Sequence, residues 1–138
     1  MFKKGVVIKT IKKILIVDDE SVFLDSLSEC LLDSDKDLCV LTAEDGVEAV
    51  KVLESEDVNL VVTDLNMPFM DGYQLASFLK RNYPNTPVMA MSAVITPETE
   101  RMLGVLGISQ WFEKSLNVKE LVSKISMEAE RNGRFLTP

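Results

Sequence analysis

The sequence predicts an α/β fold in which a parallel sheet of five strands carries helices on both faces. Five short, mostly apolar runs alternate along the chain with five longer segments whose apolar residues recur at helical spacing. Turn residues such as Gly, Pro, Asn and Asp separate these segments. Strands that alternate with helices in this way pair in parallel and are joined by right-handed crossovers.

Length and composition favour one domain of ordinary size. The chain has 138 residues, of which 46% are hydrophobic and 27% are charged, so it can bury a core and is not of a disordered class. Its net charge of -7 argues against a nucleic-acid-binding surface. Two cysteines are too few for a disulfide framework, which favours a reduced, cytoplasmic protein, and no stretch approaches the length of a membrane span. Because histidine is absent, a histidine-based triad, a histidine metal site and phosphotransfer to a histidine of this chain are excluded.

We expect three divisions along the chain. Residues 1–11 form a lysine-rich lead-in, whose apolar stretch at residues 6–8 is too short for the core of a signal peptide. Residues 12–131 form the domain itself. Residues 132–138 form a tail or the start of a linker, which is compatible both with a protein that stands alone and with one piece of a longer protein.

The first half of the chain predicts two strands, over residues 14–17 and 38–42, and two helices, over residues 21–32 and 47–55. Both strands are short apolar runs with polar residues on either side. Each helix has one apolar face. The residues of these faces are Phe23, Leu24, Leu27 and Leu31 in the first helix and Val47, Val50 and Leu53 in the second.

The third unit has the strongest pattern. Residues 60–64 form an apolar, β-branched run that ends in Asp64, which is typical of a strand buried on both faces. Pro68 and Gly72 supply turn chemistry after it. A helix follows over residues 72–82. Its inward residues are Leu75, Phe78 and Leu79.

The last part of the chain predicts two more strands, over residues 88–91 and 109–113, and two helices, over residues 96–106 and 117–131. The expected helix signals are Thr96 and Asn117 as N-caps, Pro97 at a first helical position and Gly107 as a stop. The expected apolar faces are Met102, Leu103 and Leu106 in one helix and Leu121, Val122 and Ile125 in the other.

A polar or charged side chain stands at the end of four of the five strands. Asp18 and Asp19 follow the first strand, Asp64 ends the third, Ser92 follows the fourth and Lys114 follows the fifth. Five such units match the doubly wound, flavodoxin-like strand order 2-1-3-4-5, in which ligands bind at the switch point between the first and third strands. An isolated strand-end aspartate more often caps a turn. The prediction of a site therefore depends on the combination.

Three carboxylates that converge in a crevice predict a bound cation. At about 5 Å and an effective dielectric constant of about 20, each pair of carboxylates repels by roughly 3 kcal/mol. Oxygen ligands without histidine or cysteine favour Mg²⁺ over zinc. Together, Mg²⁺ and Lys114 would bring the charge of the three carboxylates close to neutral.

The strand-end residues together resemble the site of one known family, the receiver domain of two-component response regulators. They are Asp18, Asp19, Asp64, Ser92 and Lys114. The resemblance covers residues 12–131 and implies that Asp64 accepts a phosphoryl group from a sensor histidine kinase, a phosphotransfer protein or a small acyl phosphate. It also implies Mg²⁺ as cofactor, with Asp19 as a direct ligand, Asp18 acting partly through water, and the backbone carbonyl of Asn66 completing the shell.

The resemblance assigns the remaining side chains as well. Lys114 matches the lysine that contacts the phosphoryl oxygens, Ser92 the hydroxyl that turns toward them, and Ala93 the small neighbour that leaves room. Movement of Ser92 would admit the aromatic residue at position 111 and shift the domain between two conformations. This chain has Trp111 where the family usually has Tyr or Phe, and Ser115 where it has Pro after a cis peptide bond. A partly buried packing role for Trp111 is an equal alternative.

Two other functions are alternatives. A phosphatase of the haloacid-dehalogenase type also uses a strand-end aspartate with Mg²⁺, but its D-x-D-x-[TV] pattern is not matched by Asp64-Leu65-Asn66. A receiver that serves only as a scaffold would not need the full set of site residues. We therefore expect a signalling module that catalyses only its own phosphorylation and dephosphorylation, and not an enzyme.

The resemblance also implies protein partners. A sensor histidine kinase or phosphotransfer protein supplies the phosphoryl group, and a downstream protein or effector domain receives the signal. We expect the partner surface, including that of a homodimer, at residues 96–106, 109–113 and 117–131, since these flank Ser92 and Trp111. We expect neither nucleic acid nor a membrane as a partner of this domain.

Overall fold

The computed structural model describes residues 11–115 and 117–133. The strands are β1 (Lys12–Val17), β2 (Leu38–Ala43), β3 (Leu60–Asp64), β4 (Val88–Ser92) and β5 (Gln110–Glu113). The helices are α1 (Ser21–Ser34), α2 (Gly46–Ser55), α3 (Gly72–Asn82), α4 (Pro97–Val105) and α5 (Val118–Gly133). The strands form one parallel sheet in the order β2-β1-β3-β4-β5, which confirms the predicted fold and strand order. Most of the expected lead-in and the last part of the expected tail lie outside the described residues.

The register of the sheet brings the strand ends to one edge. Val17 of β1 pairs with Thr63 of β3, so the residue after each, Asp18 and Asp64, stands at the same level. At the other side of β3, Asp64 pairs with Met91 of β4. The central strands therefore deliver two carboxylates side by side to the carboxyl edge, as the flavodoxin-like order predicts.

Alternation along the strands divides the core between the two faces of the sheet, because successive strand side chains point to opposite sides. In β1, Ile14 and Ile16 pack with α1 and α5, whereas Leu15 and Val17 pack with α2 and α3. A third apolar cluster, which contains Leu103, joins α3 and α4 to β4. Both faces of the central strands are thus covered, and the sheet holds the site residues on a closely packed support.

Polar side chains cap the starts of four helices, α2 to α5. Thr96 accepts a hydrogen bond from the backbone N–H of Thr99, and Asn117 accepts one from that of Glu120, which confirms both predicted caps. Asp45 and Asp71 cap α2 and α3 in the same way. These caps fix where the chain leaves the carboxyl edge and enters the next helix.

Two apolar side chains that the sequence pattern places on helix faces are exposed. Val47 of α2 is 44% exposed and Met102 of α4 is 40% exposed, so these two expectations are wrong. The buried positions are Gly46, Ala49 and Leu53 in α2 and Leu103 in α4. A helix turns by 100° per residue, and the residues next to these buried positions therefore point to the flank of the helix. Within the described residues, no helix combines the length and the apolar composition that a membrane crossing requires.

Candidate functional site

The carboxyl edge of the sheet brings two buried carboxylates and a buried ammonium group together. The side chains of Asp18, Asp64 and Lys114 are 0%, 7% and 9% exposed. Lys114 Nζ lies 2.7 Å from Asp18 Oδ2 and 3.8 Å from Asp64 Oδ2. A third carboxylate, that of the largely exposed Glu20, lies 2.6 Å from the same nitrogen through Oε1.

Backbone hydrogen bonds orient the two buried carboxylates. The N–H of Glu20 donates to Asp18 Oδ1 at 3.0 Å, and the N–H of Leu65 donates to Asp64 Oδ1 at 3.0 Å. Behind Asp64, the start of α3 approaches so closely that a Cβ on Gly72 would lie 2.2 Å from the carbonyl oxygen of Asp64. Only glycine fits there, and the Gly72 N–H donates to the Leu65 carbonyl at 3.0 Å. Helix α3 therefore locks the end of the strand that carries Asp64.

A backbone hydrogen bond that continues the pairing of β4 with β5 fixes the position of Lys114. Its backbone N–H donates to the carbonyl of Ser92 at 2.9 Å, which keeps the chain parallel to β4 one residue beyond β5. Its side chain crosses the face of Phe23 of α1, with Nζ 4.6 Å from the ring centroid. This cation–π contact and the flanking carboxylates hold the ammonium group inside the crevice.

Burial is the largest cause of the pKa shifts of Asp18 and Asp64. It raises the pKa of Asp64 to about 6, and the negative charge of Asp18 adds to this effect, while Lys114 opposes it. Burial also raises the pKa of Asp18, although Lys114 acts in the other direction. Burial alone would lower the pKa of Lys114, but its contacts with Asp18 and Glu20 outweigh burial, and the pKa is raised. The crevice therefore holds more negative charge than the lysine balances.

The donor set fits a hard cation such as Mg²⁺. Carboxylate oxygens of Asp18, Glu20 and Asp64 all lie within 4.8 Å of one another. Asp18 Oδ2 is buried and has no assigned hydrogen bond, although Lys114 Nζ lies 2.7 Å away as its ion-pair partner. A buried oxygen that lacks a hydrogen bond, in a set made only of oxygen ligands, is the arrangement that Mg²⁺ would complete.

The two other predicted metal ligands belong to residues that are exposed. Asp19 is exposed and is not part of the compact group of three carboxylates, although its charge helps to raise the pKa of Asp64. Asn66 is exposed in the loop after β3. The sequence analysis did not place Glu20 in the site. Its position as the third acidic residue in succession after β1 could have indicated it.

The residues predicted to transmit a switch lie on β4 and β5 or directly after β4. Ser92 is buried at the end of β4, and Ala93 next to it is exposed. Trp111 of β5 is half-buried, pairs with Ala90 and packs against the cluster formed with Leu103. No peptide bond within the described residues is cis, and this includes the bond between Lys114 and Ser115.

The chain belongs to the response regulator receiver domain family of two-component systems, because the model of that family matches residues 14–126. This membership decides against the haloacid-dehalogenase type. It agrees with the combination of residues at the carboxyl edge and with the strand order of the sheet.

Curated proteins and solved structures resemble the chain over most of its length. The chain is 32% identical over 122 residues to the alkaline phosphatase synthesis transcriptional regulatory protein PhoP of Bacillus subtilis, covering 88% of this chain and 50% of that protein. It is 34% identical over 121 residues to a protein-glutamate methylesterase/protein-glutamine glutaminase of Methanococcus maripaludis, covering 82% of this chain and 33% of that protein. A CheY-like receiver domain protein from Methanospirillum hungatei superposes with a TM-score of 0.82 at 25% identity, covering 91% of this chain and 98% of the other. The chain thus spans half or less of the length of these two curated relatives.

Proposed function

We propose that this chain is a phospho-accepting receiver in which Asp64 takes a phosphoryl group from the phosphohistidine of a sensor histidine kinase or a phosphotransfer protein. The observation that carries the proposal is the position of Asp64 at the end of β3, buried, with Lys114 Nζ 3.8 Å away and Asp18 beside it. An acidic nucleophile between a cation and a cluster of metal-type ligands is suited to phosphoryl transfer, which depends on positioning and charge neutralisation.

The two oxygens of Asp64 have different roles in this proposal. Oδ1 accepts the Leu65 N–H and fixes the orientation of the carboxylate. Oδ2 is the oxygen that forms the bond to phosphorus, while the bond between phosphorus and the imidazole nitrogen of the donor breaks and its electron pair stays on that nitrogen. Lys114, which lies on the Oδ2 side, neutralises charge on the transferred phosphoryl oxygens.

Asp18, Asp19, Asp64 and the backbone carbonyl of Asn66 would hold Mg²⁺. When bound, Mg²⁺ supplies positive charge that offsets the repulsion among the carboxylates and the charge of the incoming phosphoryl group. The raised pKa values of Asp18 and Asp64 and the buried Asp18 Oδ2 support the roles of these two residues, and the roles of Asp19 and Asn66 follow from membership of the receiver family.

Intact-protein mass spectrometry after incubation with acetyl phosphate and Mg²⁺ tests the proposal. The wild-type chain gains the mass of one phosphoryl group, and Asp64→Asn does not gain it. Asp57→Asn is the matched control, because it makes the same chemical change at an exposed aspartate before β3. An equal gain in Asp64→Asn and in the wild type would refute the assignment of Asp64.

The proposed output is a change of conformation around Ser92 and Trp111. The hydroxyl of Ser92 turns toward the phosphoryl group, and Trp111 moves inward and alters the surface formed by residues 96–106, 109–113 and 117–131. This surface binds a downstream protein, an effector domain or a second copy of the chain. The lengths and names of the relatives support an output in another domain or protein, and the catalysis of this domain is limited to its own phosphorylation and dephosphorylation.

Fluorescence of Trp111, the single tryptophan, tests the switch. Beryllofluoride with Mg²⁺ mimics the phosphoryl group and changes the emission of the wild-type chain. Ser92→Ala binds the same reagent but loses the change in emission. An identical response in both proteins would show that Trp111 senses only the added charge.

A further inference from the structure

The ammonium group of Lys114 is engaged by a carboxylate outside the predicted set of site residues. Lys114 Nζ donates a hydrogen bond to Glu20 Oε1 at 2.6 Å, whereas its distance to Asp64 Oδ2 is 3.8 Å, beyond a hydrogen bond. This contact links two residues that are 94 positions apart in the chain. It joins the loop after β1 to the loop after β5 across the mouth of the crevice.

We propose that Glu20 is a removable counter-ion that holds Lys114 in the resting state and must release it when a phosphoryl group arrives at Asp64. This inference rests on the proposed function of Asp64. Glu20 then acts as a positioning residue, because it sets how readily Lys114 becomes available to phosphoryl oxygens.

Asp18 and Glu20 both contact Lys114, and their solvent exposure determines which of them can release it. The side chain of Asp18 is 0% exposed and its Oδ1 accepts the N–H of Glu20, so it cannot leave the crevice without breaking that hydrogen bond. The side chain of Glu20 is 65% exposed and can rotate into water. Release of Glu20 therefore requires no rearrangement of the fold.

Charge supplies the reason for release. In the resting state the crevice contains the carboxylates of Asp18, Glu20 and Asp64 around one ammonium group. A phosphoryl group adds negative charge at Asp64, and like charges at such distances repel. Departure of Glu20 lowers this repulsion and frees an N–H donor of Lys114 for a phosphoryl oxygen.

Two variants of Glu20 separate contact from charge. Glu20→Gln removes the charge. Glu20→Asp keeps the charge but shortens the side chain by one methylene group, so the carboxylate no longer reaches Lys114. A counter-ion that acts by contact gives the same direction of change in both variants, whereas a long-range charge effect appears in Glu20→Gln alone.

Isothermal titration of the full chain with beryllofluoride, at saturating Mg²⁺, measures the effect. Both variants bind beryllofluoride about twofold to fivefold more tightly than the wild type, as expected for loss of a competing, partly exposed ion pair. Affinity of Glu20→Asp equal to that of the wild type would overturn the proposal, and so would unchanged or weaker binding by Glu20→Gln.

The lysine itself can be observed without metal or phosphoryl analogue. In ¹⁵N-lysine NMR spectra of the metal-free chain, the Lys114 ammonium signal shows slow proton exchange with water in the wild type and faster exchange in both variants. Lys13, which pairs with Glu56 at 2.9 Å, is the internal reference and stays unchanged. Exchange at Lys114 that is the same in all three proteins would overturn the resting-state contact. Failure of the wild type to bind beryllofluoride would instead refute the proposed function, and with it the release step, while the lysine spectra still report on the contact.

Discussion

The interior of the sheet and its carboxyl edge both contain buried side chains, but the two regions bury side chains of different kinds. In the interior, Ile14, Leu15 and Val61 are fully buried and belong to apolar clusters. At the edge, Asp18 and Asp64 are also buried, yet they are ionisable groups. Burial of apolar area stabilises the fold, whereas burial of carboxylates disfavours their charged form. The apolar interior therefore raises the free energy of unfolding, and the buried carboxylates at the edge lower it.

Backbone geometry shows the same difference. Phe69, in the loop that follows β3, has a φ of 65° and is 86% exposed, so its side chain stabilises nothing by burial while its backbone adopts the left-handed region. Such a conformation costs a residue with a Cβ about 1–2 kcal/mol. Strain of this kind persists where the surrounding structure dictates it, and here the loop lies between Asp64 and the closely packed start of α3.

The largest expected effect belongs to the interior. Leu27→Ala in α1 lowers the free energy of unfolding by about 2–5 kcal/mol, because Leu27 is fully buried and its truncation leaves a cavity. Urea denaturation measures this effect. Leu32→Ala, in the same helix at a position that is 41% exposed, is the matched control and costs much less. Equal losses would mean that stability does not come from the face of α1 that packs on the sheet.

Removal of a buried carboxylate at the carboxyl edge should raise the free energy of unfolding, in contrast to the loss expected for Leu27→Ala. Since the pKa of Asp64 is raised from 3.8 to about 6, the folded state binds this proton more tightly than the unfolded chain does. The penalty is absent below pH 3.8, grows as the pH rises toward about 6, and is complete above that. At neutral pH without metal, Asp64→Asn therefore stabilises the chain, by up to about 3 kcal/mol.

Denaturation of the wild type and Asp64→Asn across this pH range measures the difference between them. The two proteins have similar stability at the acid end, and the variant becomes the more stable one as the pH rises. A difference in stability that does not depend on pH would show that ionisation of Asp64 carries no penalty in the folded state.

Mg²⁺ should remove part of the penalty at the edge. At a concentration ten times its dissociation constant, it raises the free energy of unfolding by about 1.4 kcal/mol, because it binds only the folded site. Asp19→Ala loses most of this gain, whereas Asp57→Ala, an exposed aspartate remote from the edge, keeps it. Thermal denaturation with and without Mg²⁺ provides the measurement. An equal gain in wild type and Asp19→Ala would refute the role of Asp19 as a direct ligand.

The smallest effect is expected at Phe69. Phe69→Asn stabilises the chain by about 0.5–1 kcal/mol, because Asn tolerates the left-handed region and no buried contact is lost. Phe69→Ala removes the same ring but keeps the strain, so its stability stays close to that of the wild type. If alanine stabilised the chain as much as asparagine, the benefit would come from loss of the exposed ring and not from relief of backbone strain.

The sequence was sufficient to predict the interior, because its signals are local. Strand runs such as residues 60–64, the caps at Thr96 and Asn117 and the stop at Gly107 depend on neighbours within one turn or one strand. The exposed positions of Val47 and Met102 were not predicted, because the orientation of a helix on the sheet depends on side chains far away in the sequence.

The edge was predictable in part. The strand order places Asp18, Asp64 and Lys114 together, and their identity as strand-end residues is visible in the sequence. The contact of Glu20 with Lys114 was not predictable, since it joins residues 94 positions apart and depends on the conformation of two loops. Strain at Phe69 was likewise invisible, because nothing in the sequence marks an aromatic residue for a positive φ.

Direct titration of the Asp64 carboxyl group is the closest test of whether ionisation of a carboxylate at the edge destabilises the folded chain. In ¹³C NMR spectra of the metal-free chain, the Asp64 carboxyl signal, identified by its absence in Asp64→Asn, titrates near pH 6. Saturating Mg²⁺ lowers this pKa, because a bound cation favours the carboxylate. A carboxyl group that titrates near its ordinary value of 3.8 without Mg²⁺, and does not respond to the metal, would contradict the account.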